Sequence, residues 1–220
     1  MIRACLFDMD GVLFDTERMS GRFMADAVAQ QGVTLDEAKY EQLLGADVGR
    51  ITATLDQWFP GKIDPRRFFE DWRDVTLDYM RENGMPLRPF AAEALRSLKE
   101  RGYLLALCTS NTYEVTMAYL HIAGWDDVFD QVVTIEMVEH GKPAPDVYRK
   151  AAELLHVSPD ECVGIEDSPN GLRAVRSAGM LSIMVPDRAP FSPDLAPYVD
   201  ICLDSLEQLE ETLLIRSETP

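Results

Sequence analysis

Four short polar clusters, spread along the chain in a fixed order, carry the side chains with which this protein could do chemistry. The first is Asp8-Met9-Asp10-Gly11. Two carboxylates at i and i+2, ahead of a glycine, can lean over one crevice, where they repel unless they share a cation or a proton. Beside a divalent metal, one can serve as ligand and nucleophile while the other works as general acid and base. The second is Thr109-Ser110-Asn111, whose hydroxyl and amide groups, with the N–H groups of a helix start, make an anion cradle. The third is Gly141-Lys142-Pro143-Ala144-Pro145, a stiff loop that presents one fixed positive charge to a phosphate or to Asp8. The fourth is Glu166-Asp167-Ser168. Its two carboxylates, with Asp8 and the Asp10 carbonyl, form an all-oxygen shell suited to Mg²⁺. Taken singly, each has an ordinary explanation as a solvated turn, a helix cap or a surface lysine. The four in order share no such explanation.

The elements that must position these groups are legible as apolar runs. Residues 2–7, 103–108, 162–165 and 181–185 have strand character, with a weaker run at 131–135 and a short one at 199–202. The runs are continuous rather than alternating, as expected of strands covered on both faces. Helical patterns lie between them. Residues 90–101 are followed by Gly102, residues 115–123 stop at Gly124, and residues 145–155 open with a proline suited to a first turn. Strands alternating with helices predict an α/β fold, a doubly wound parallel sheet. Ligands bind such sheets at the C-terminal ends of the strands, where the polar clusters fall.

The interval between the first two strands is too long for one crossover and shows only helical patterns. Met19, Phe23, Ala27 and Val28 recur at helical spacing, as do Val48, Ile51, Leu55 and Trp58. Thr34 and Glu37 read as a capping box. Asp64-Pro65 opens a last helix carrying Phe68, Phe69, Trp72, Val75 and Tyr79. The expected organisation is an α/β core of residues 1–17 and 83–220 with an all-helical domain, 18–82, inserted after the first strand. The chain returns through Asn83-Gly84-Met85-Pro86 and Pro89, a plausible hinge.

Composition narrows the partners. The chain is 46% hydrophobic and 27% charged with a formal net charge of −17. That charge argues against nucleic acid, which is bound by neutralising phosphates, and against anionic membranes. No apolar run approaches the ~20 residues that span a bilayer. Asp8 and Asp10 interrupt the N-terminal run before a secretory segment can form, so a cytoplasmic protein is expected. Cys5, Cys108, Cys162 and Cys202 each fall in a strand-like run without metal-ligand spacing, and buried reduced thiols are expected. His121, His140 and His156 are isolated, which suits surface or packing roles. A monomer is the default expectation.

Asp8-x-Asp10-Gly-Val, Thr109, Lys142 in Gly-Lys-Pro-x-Pro and Glu166-Asp167-Ser168 resemble the four motifs of the haloacid dehalogenase superfamily. The match covers residues 1–17 and about 85–205, and the helical insert stands where that superfamily carries a helical cap. The resemblance implies Asp8 as nucleophile and Asp10 as general acid and base. It implies that Thr109 binds the transferring phosphoryl group and that Lys142 neutralises charge. Mg²⁺ would be held by Asp8, Asp10, Glu166 and Asp167, and substrate contacts would come from Ser110, Asn111, Thr16 and Gly45. An aspartate at position 10 favours the phosphatase and mutase branches over the dehalogenases. Val12-Leu13-Phe14-Asp15-Thr16-Glu17 looks like the β-phosphoglucomutase-like subfamily. Where a mutase carries a cap histidine this chain has Ser20, and around Gly45 no basic residue precedes Arg50. The expected activity is therefore hydrolysis of a small phosphorylated metabolite, a sugar phosphate, through an aspartyl-phosphate. A phosphosugar mutase is the first alternative, and a non-catalytic acidic module binding metal or a partner is the second.

Overall fold

The computed structural model describes residues 1–43, 46 and 48–218. Its centre is a six-stranded sheet, parallel throughout, of β1 (Ala4–Phe7), β2 (Leu104–Cys108), β3 (Gln131–Val133), β4 (Cys162–Glu166), β5 (Leu181–Met184) and β6 (Ile201–Cys202). The strand order is β3-β2-β1-β4-β5-β6. The chain therefore steps outward from β1 to one edge and then resumes on the other side of β1, so the switch in winding direction falls at β1 itself. Crevices open at such a switch point, outside the carboxyl ends of the strands. Phe7 pairs with Leu107 on one side and Ile165 on the other. The ends of β1, β2 and β4 are thus level, and the loops leaving these three strands meet in one place.

The chain divides into two compact units, one formed by Met1–Asp15 with the chain from Pro86 onward, the other by Thr16–Met85. The second is helical: α1 (Glu17–Gln30), α2 (Glu37–Tyr40), α3 (Val48–Trp58) and α4 (Pro65–Asn83). Its core is built from Met24, Ala27 and Val28 of α1, Ile51 and Leu55 of α3, and Phe68 of α4. The Asp64 carboxylate caps α4 by accepting from the Arg66 and Arg67 N–H groups, and Pro65 fills the first turn. Two local expectations change here. The Thr34–Glu37 box is not formed; Asp36 caps α2, its carboxylate accepting from Lys39 N at 2.9 Å, because it adjoins the helix while Thr34 lies outside it. In the second half of α4 the buried stripe runs through Thr76, Leu77 and Met80, and Val75 is only half-buried.

The first unit adds α5 (Ala91–Glu100), α6 (Tyr113–Ala123), α7 (Asp146–Leu154), α8 (Pro169–Ala178) and α9 (Leu209–Glu218). Strand residues Leu6, Ala106 and Cys162 share one buried cluster with Val147 and Tyr148 of α7 and Val175 of α8. Gly164 of β4 lets α8 come close, since a Cβ there would lie 2.4 Å from Val175 Cγ2. Three cysteines are buried free thiols, whereas Cys202 is exposed. It sits on the two-residue edge strand, one side of which has no neighbour to cover it. Among the described residues no helix is long and apolar enough to cross a membrane.

Candidate active site

Asp8 directly follows β1, and its backbone N–H donates to Ile165 O of β4 at 3.0 Å, which holds it at the centre of the switch point. The chain then turns tightly: Leu13 N and Phe14 N both donate to Met9 O at 3.0 Å, and Gly11 N donates to Phe14 O at 2.8 Å. Phe14 anchors this turn by stacking on Trp125, ring centroids 5.1 Å apart, with Tyr119 edge-on at 6.1 Å. Gly11 must be glycine on two counts. Its φ is +81°, and a Cβ would lie 2.4 Å from Asp167 Oδ2.

Thr109 follows β2 and is buried, its N–H donating to Val133 O at 3.0 Å. Asn111 Nδ2 donates to Asp10 Oδ2 at 2.6 Å and to Thr109 Oγ1 at 3.3 Å, so it ties the first polar cluster to the second. Ser110 is exposed. The helix behind this segment starts at Tyr113, two residues earlier than the apolar pattern implies, with Thr112 as N-cap. Its Tyr113 N–H is taken by the Glu136 carboxylate at 2.6 Å, so one donor of the expected cradle is already satisfied within the chain.

Lys142 lies at the centre. Its Nζ donates to Asp8 Oδ1, to Glu166 Oε1 at 2.6 Å and to Cys108 O at 2.9 Å, which uses all three ammonium protons. Glu166, the last residue of β4, is completely buried. Tyr148 Oη donates to its Oε1 at 2.7 Å, and its Oε2 accepts from Ser168 Oγ at 3.1 Å and from the Asp167 and Ser168 N–H groups at 3.2 and 3.3 Å. Glu166 is therefore no helix cap. Ser168 caps α8 instead, accepting from Gly171 N at 3.1 Å.

Asp8, Glu166 and Asp167 each offer a carboxylate oxygen, and these oxygens lie within 4.8 Å of one another. The Asp10 carboxylate stands outside that group, on Asn111. Burial pushes the Asp8 carboxyl up to about 8; Lys142 opposes this, while the Glu166 and Asp10 anions push the same way. Burial alone would lower Lys142, but the Asp8 and Glu166 carboxylates outweigh it and hold the ammonium above its ordinary range. The site thus carries more negative charge than one lysine offsets. Three converging hard oxygen donors with uncompensated charge fit a divalent cation of the Mg²⁺ type.

Of the eight residues expected from the core motifs, Asp8, Asp10, Thr109, Asn111, Lys142, Glu166 and Asp167 converge, and Ser110 lies exposed beside them. Thr16 is buried at the start of the helical unit, and Gly45 lies outside the described residues. Sequence reasoning missed Tyr148 and Gly171. Tyr148 falls on the buried stripe of α7 with Val147, Ala151 and Ala152, where it reads as core; the only hint of more was a hydroxyl in an otherwise apolar row.

The family model for haloacid dehalogenase-like hydrolases matches residues 2–179. Hexitol phosphatase B of Escherichia coli (strain K12) is 33% identical over 94% of this chain and 94% of its own length. The crystal structure of CbbY from Rhodobacter sphaeroides, solved in complex with phosphate, superposes with a TM-score of 0.82 at 31% identity, covering 95% of this chain and 96% of that one. A mutant of that protein was solved in complex with xylulose-(1,5)bisphosphate, at 30% identity, a TM-score of 0.82 and the same coverage. β-Phosphoglucomutase from Clostridium difficile, 23% identical over 98% of this chain and 96% of that one, shares the fold with a TM-score of 0.78. The motif order, the parallel sheet wound about β1 and the whole-length similarity agree: this chain belongs to the haloacid dehalogenase-like hydrolases.

Proposed function

We propose that this protein is a Mg²⁺-dependent phosphatase that hydrolyses a small phosphorylated metabolite, a sugar phosphate, through an aspartyl-phosphate on Asp8. The observation that carries the reading is the contact of Lys142 with Asp8 at a level row of strand ends, with Asp10 and Thr109 tied to the same place by Asn111. The kinship with a hexitol phosphatase supports the substrate class.

Asp8 attacks phosphorus in line with the leaving oxygen, and the ester P–O bond breaks as the Asp8–phosphorus bond forms. Asp10 gives its proton to the leaving oxygen and then, as a carboxylate, takes one from the water that hydrolyses the aspartyl-phosphate. Thr109 holds the transferring group by its hydroxyl, and Lys142 offsets charge on Asp8 and the phosphoryl oxygens. Asp8, Asp167, Glu166 and the Asp10 carbonyl would hold a divalent cation, which would supply the remaining charge compensation. Ser110 and Asn111 contact the substrate.

The test is phosphate release from a panel of sugar phosphates, nucleotides and small phospho-acids, with and without Mg²⁺, by the parent and by Asp8→Asn. Metal-dependent release that Asp8→Asn abolishes, with the circular dichroism of the fold unchanged, is the expected result. Conversion of glucose 1-phosphate into glucose 6-phosphate with little free phosphate overturns the hydrolase in favour of the mutase, and full activity in Asp8→Asn eliminates the aspartyl-phosphate.

A further inference from the structure

The Tyr148 side chain meets both Lys142 and one of the three acceptors that hold its ammonium, Glu166. It is completely buried in α7. Its hydroxyl donates to Glu166 Oε1 at 2.7 Å, and the Lys142 ammonium stands 5.1 Å from the centroid of its ring. We propose that Tyr148 is a positioning residue for phosphoryl transfer, its hydroxyl pinning Glu166 and its ring supporting Lys142, so that the ammonium is held against Asp8. The inference rests on the assignment of Asp8 as nucleophile.

The hydroxyl is the informative part. A phenylalanine would fill the same volume among Val147, Ala151 and Val175 and would leave no polar atom to satisfy. A buried tyrosine oxygen is kept where it has a partner to hold. Here the partner is the oxygen that also accepts from Lys142, so Oε1 is fixed between two donors. Lysine is a flexible stem ending in a point charge, and its position is set by what surrounds the ammonium. Without the hydroxyl, Oε1 has Lys142 as its one remaining side-chain donor and can follow the lysine or draw it away from Asp8. The ring faces the cation in either case.

The experiment compares Tyr148→Phe, Glu166→Gln and the double variant in steady-state hydrolysis of p-nitrophenyl phosphate with saturating Mg²⁺. Tyr148→Phe is expected to lower kcat by about 10-fold, the effect of losing one hydrogen bond to a charged group, with KM within about 2-fold. In the Glu166→Gln background the same change should alter kcat by less than about 2-fold, because the group it acts through is already disabled. A merely structural tyrosine would give multiplicative losses in the two backgrounds, and that result overturns the proposal, as does an unchanged kcat in Tyr148→Phe. Asp8→Asn in the same assay separates the two readings. If it is inactive while Tyr148→Phe is normal, only the role of Tyr148 fails; if it is active, the nucleophile assignment fails first.

Discussion

Gly171→Ala should be a damaging substitution at a position where helix propensity favours alanine. Gly171 lies in the first turn of α8, and alanine there would gain up to about 1 kcal/mol of helix stability. A Cβ at this position, however, would lie 1.8 Å from both Cδ and Oε1 of Glu166. A carboxylate at the end of a free side chain would swing aside at little cost. This one is held by Lys142 at 2.6 Å, Tyr148 at 2.7 Å and Ser168 Oγ at 3.1 Å. Each hydrogen bond to a charged group is worth about 1.5–3 kcal/mol, so losing two of them outweighs the gain in propensity by about 2–5 kcal/mol. For a chain of this size that lowers Tm by roughly 4–20 °C. Displacing Glu166 also removes one of the three acceptors on Lys142, and kcat should fall by about 100-fold or more. Thermal unfolding and phosphate release measure the two effects. In a Glu166→Ala background the clash partner is gone, and Gly171→Ala should then cost almost nothing. A Gly171→Ala protein with the parent's Tm and kcat would refute the reasoning, because it would mean that Glu166 is not held where its hydrogen bonds place it.

Two further outcomes are expected from the same geometry. Gly11→Ala forces a side chain onto a residue at φ +81° and into Asp167 Oδ2; it should cost about 1–3 kcal/mol of stability and raise the Mg²⁺ concentration for half-maximal activity by at least about 10-fold, and an unchanged half-saturation contradicts it. Asp8 titrates at about 8 in the folded protein against about 4 in an unfolded chain, so between these values the fold keeps a proton that the unfolded state has lost. Without divalent cation, stability should therefore decline as pH rises from about 4 to about 8, and saturating Mg²⁺, by favouring the carboxylate, should flatten that decline; the same Tm-versus-pH slope with and without Mg²⁺ would contradict the cause assigned to the shift.

The sequence by itself determined which strands would be buried, in what alternation with helices, and which polar groups would stand at their ends. These are local properties. A continuous apolar run, a proline at a helix start and a glycine at its end act within a few residues, and the runs at 103–108 and 162–165 became β2 and β4 with one residue's difference at an end. The order of the polar clusters was legible for the same reason.

What the tertiary structure decided is how those groups divide the work among themselves. Lys142 and Asp8 are 134 residues apart in the chain, and their contact depends on the register of three strands and the seat of α7. No spacing rule distinguishes Glu166, saturated by buried donors, from Asp167 beside it. Tyr148 looked like core because its ring is core, and only the position of Oε1 made its hydroxyl matter. Asn111 looked like part of an anion cradle, and the fold gave its amide to Asp10. Cys202 looked buried because its run is apolar, and the fold put it on an edge strand. Patterning decides which residues go inward, because burial of apolar surface responds to period; it does not decide which inward groups meet, because a hydrogen bond turns on tenths of an ångström set by the packing of the whole unit.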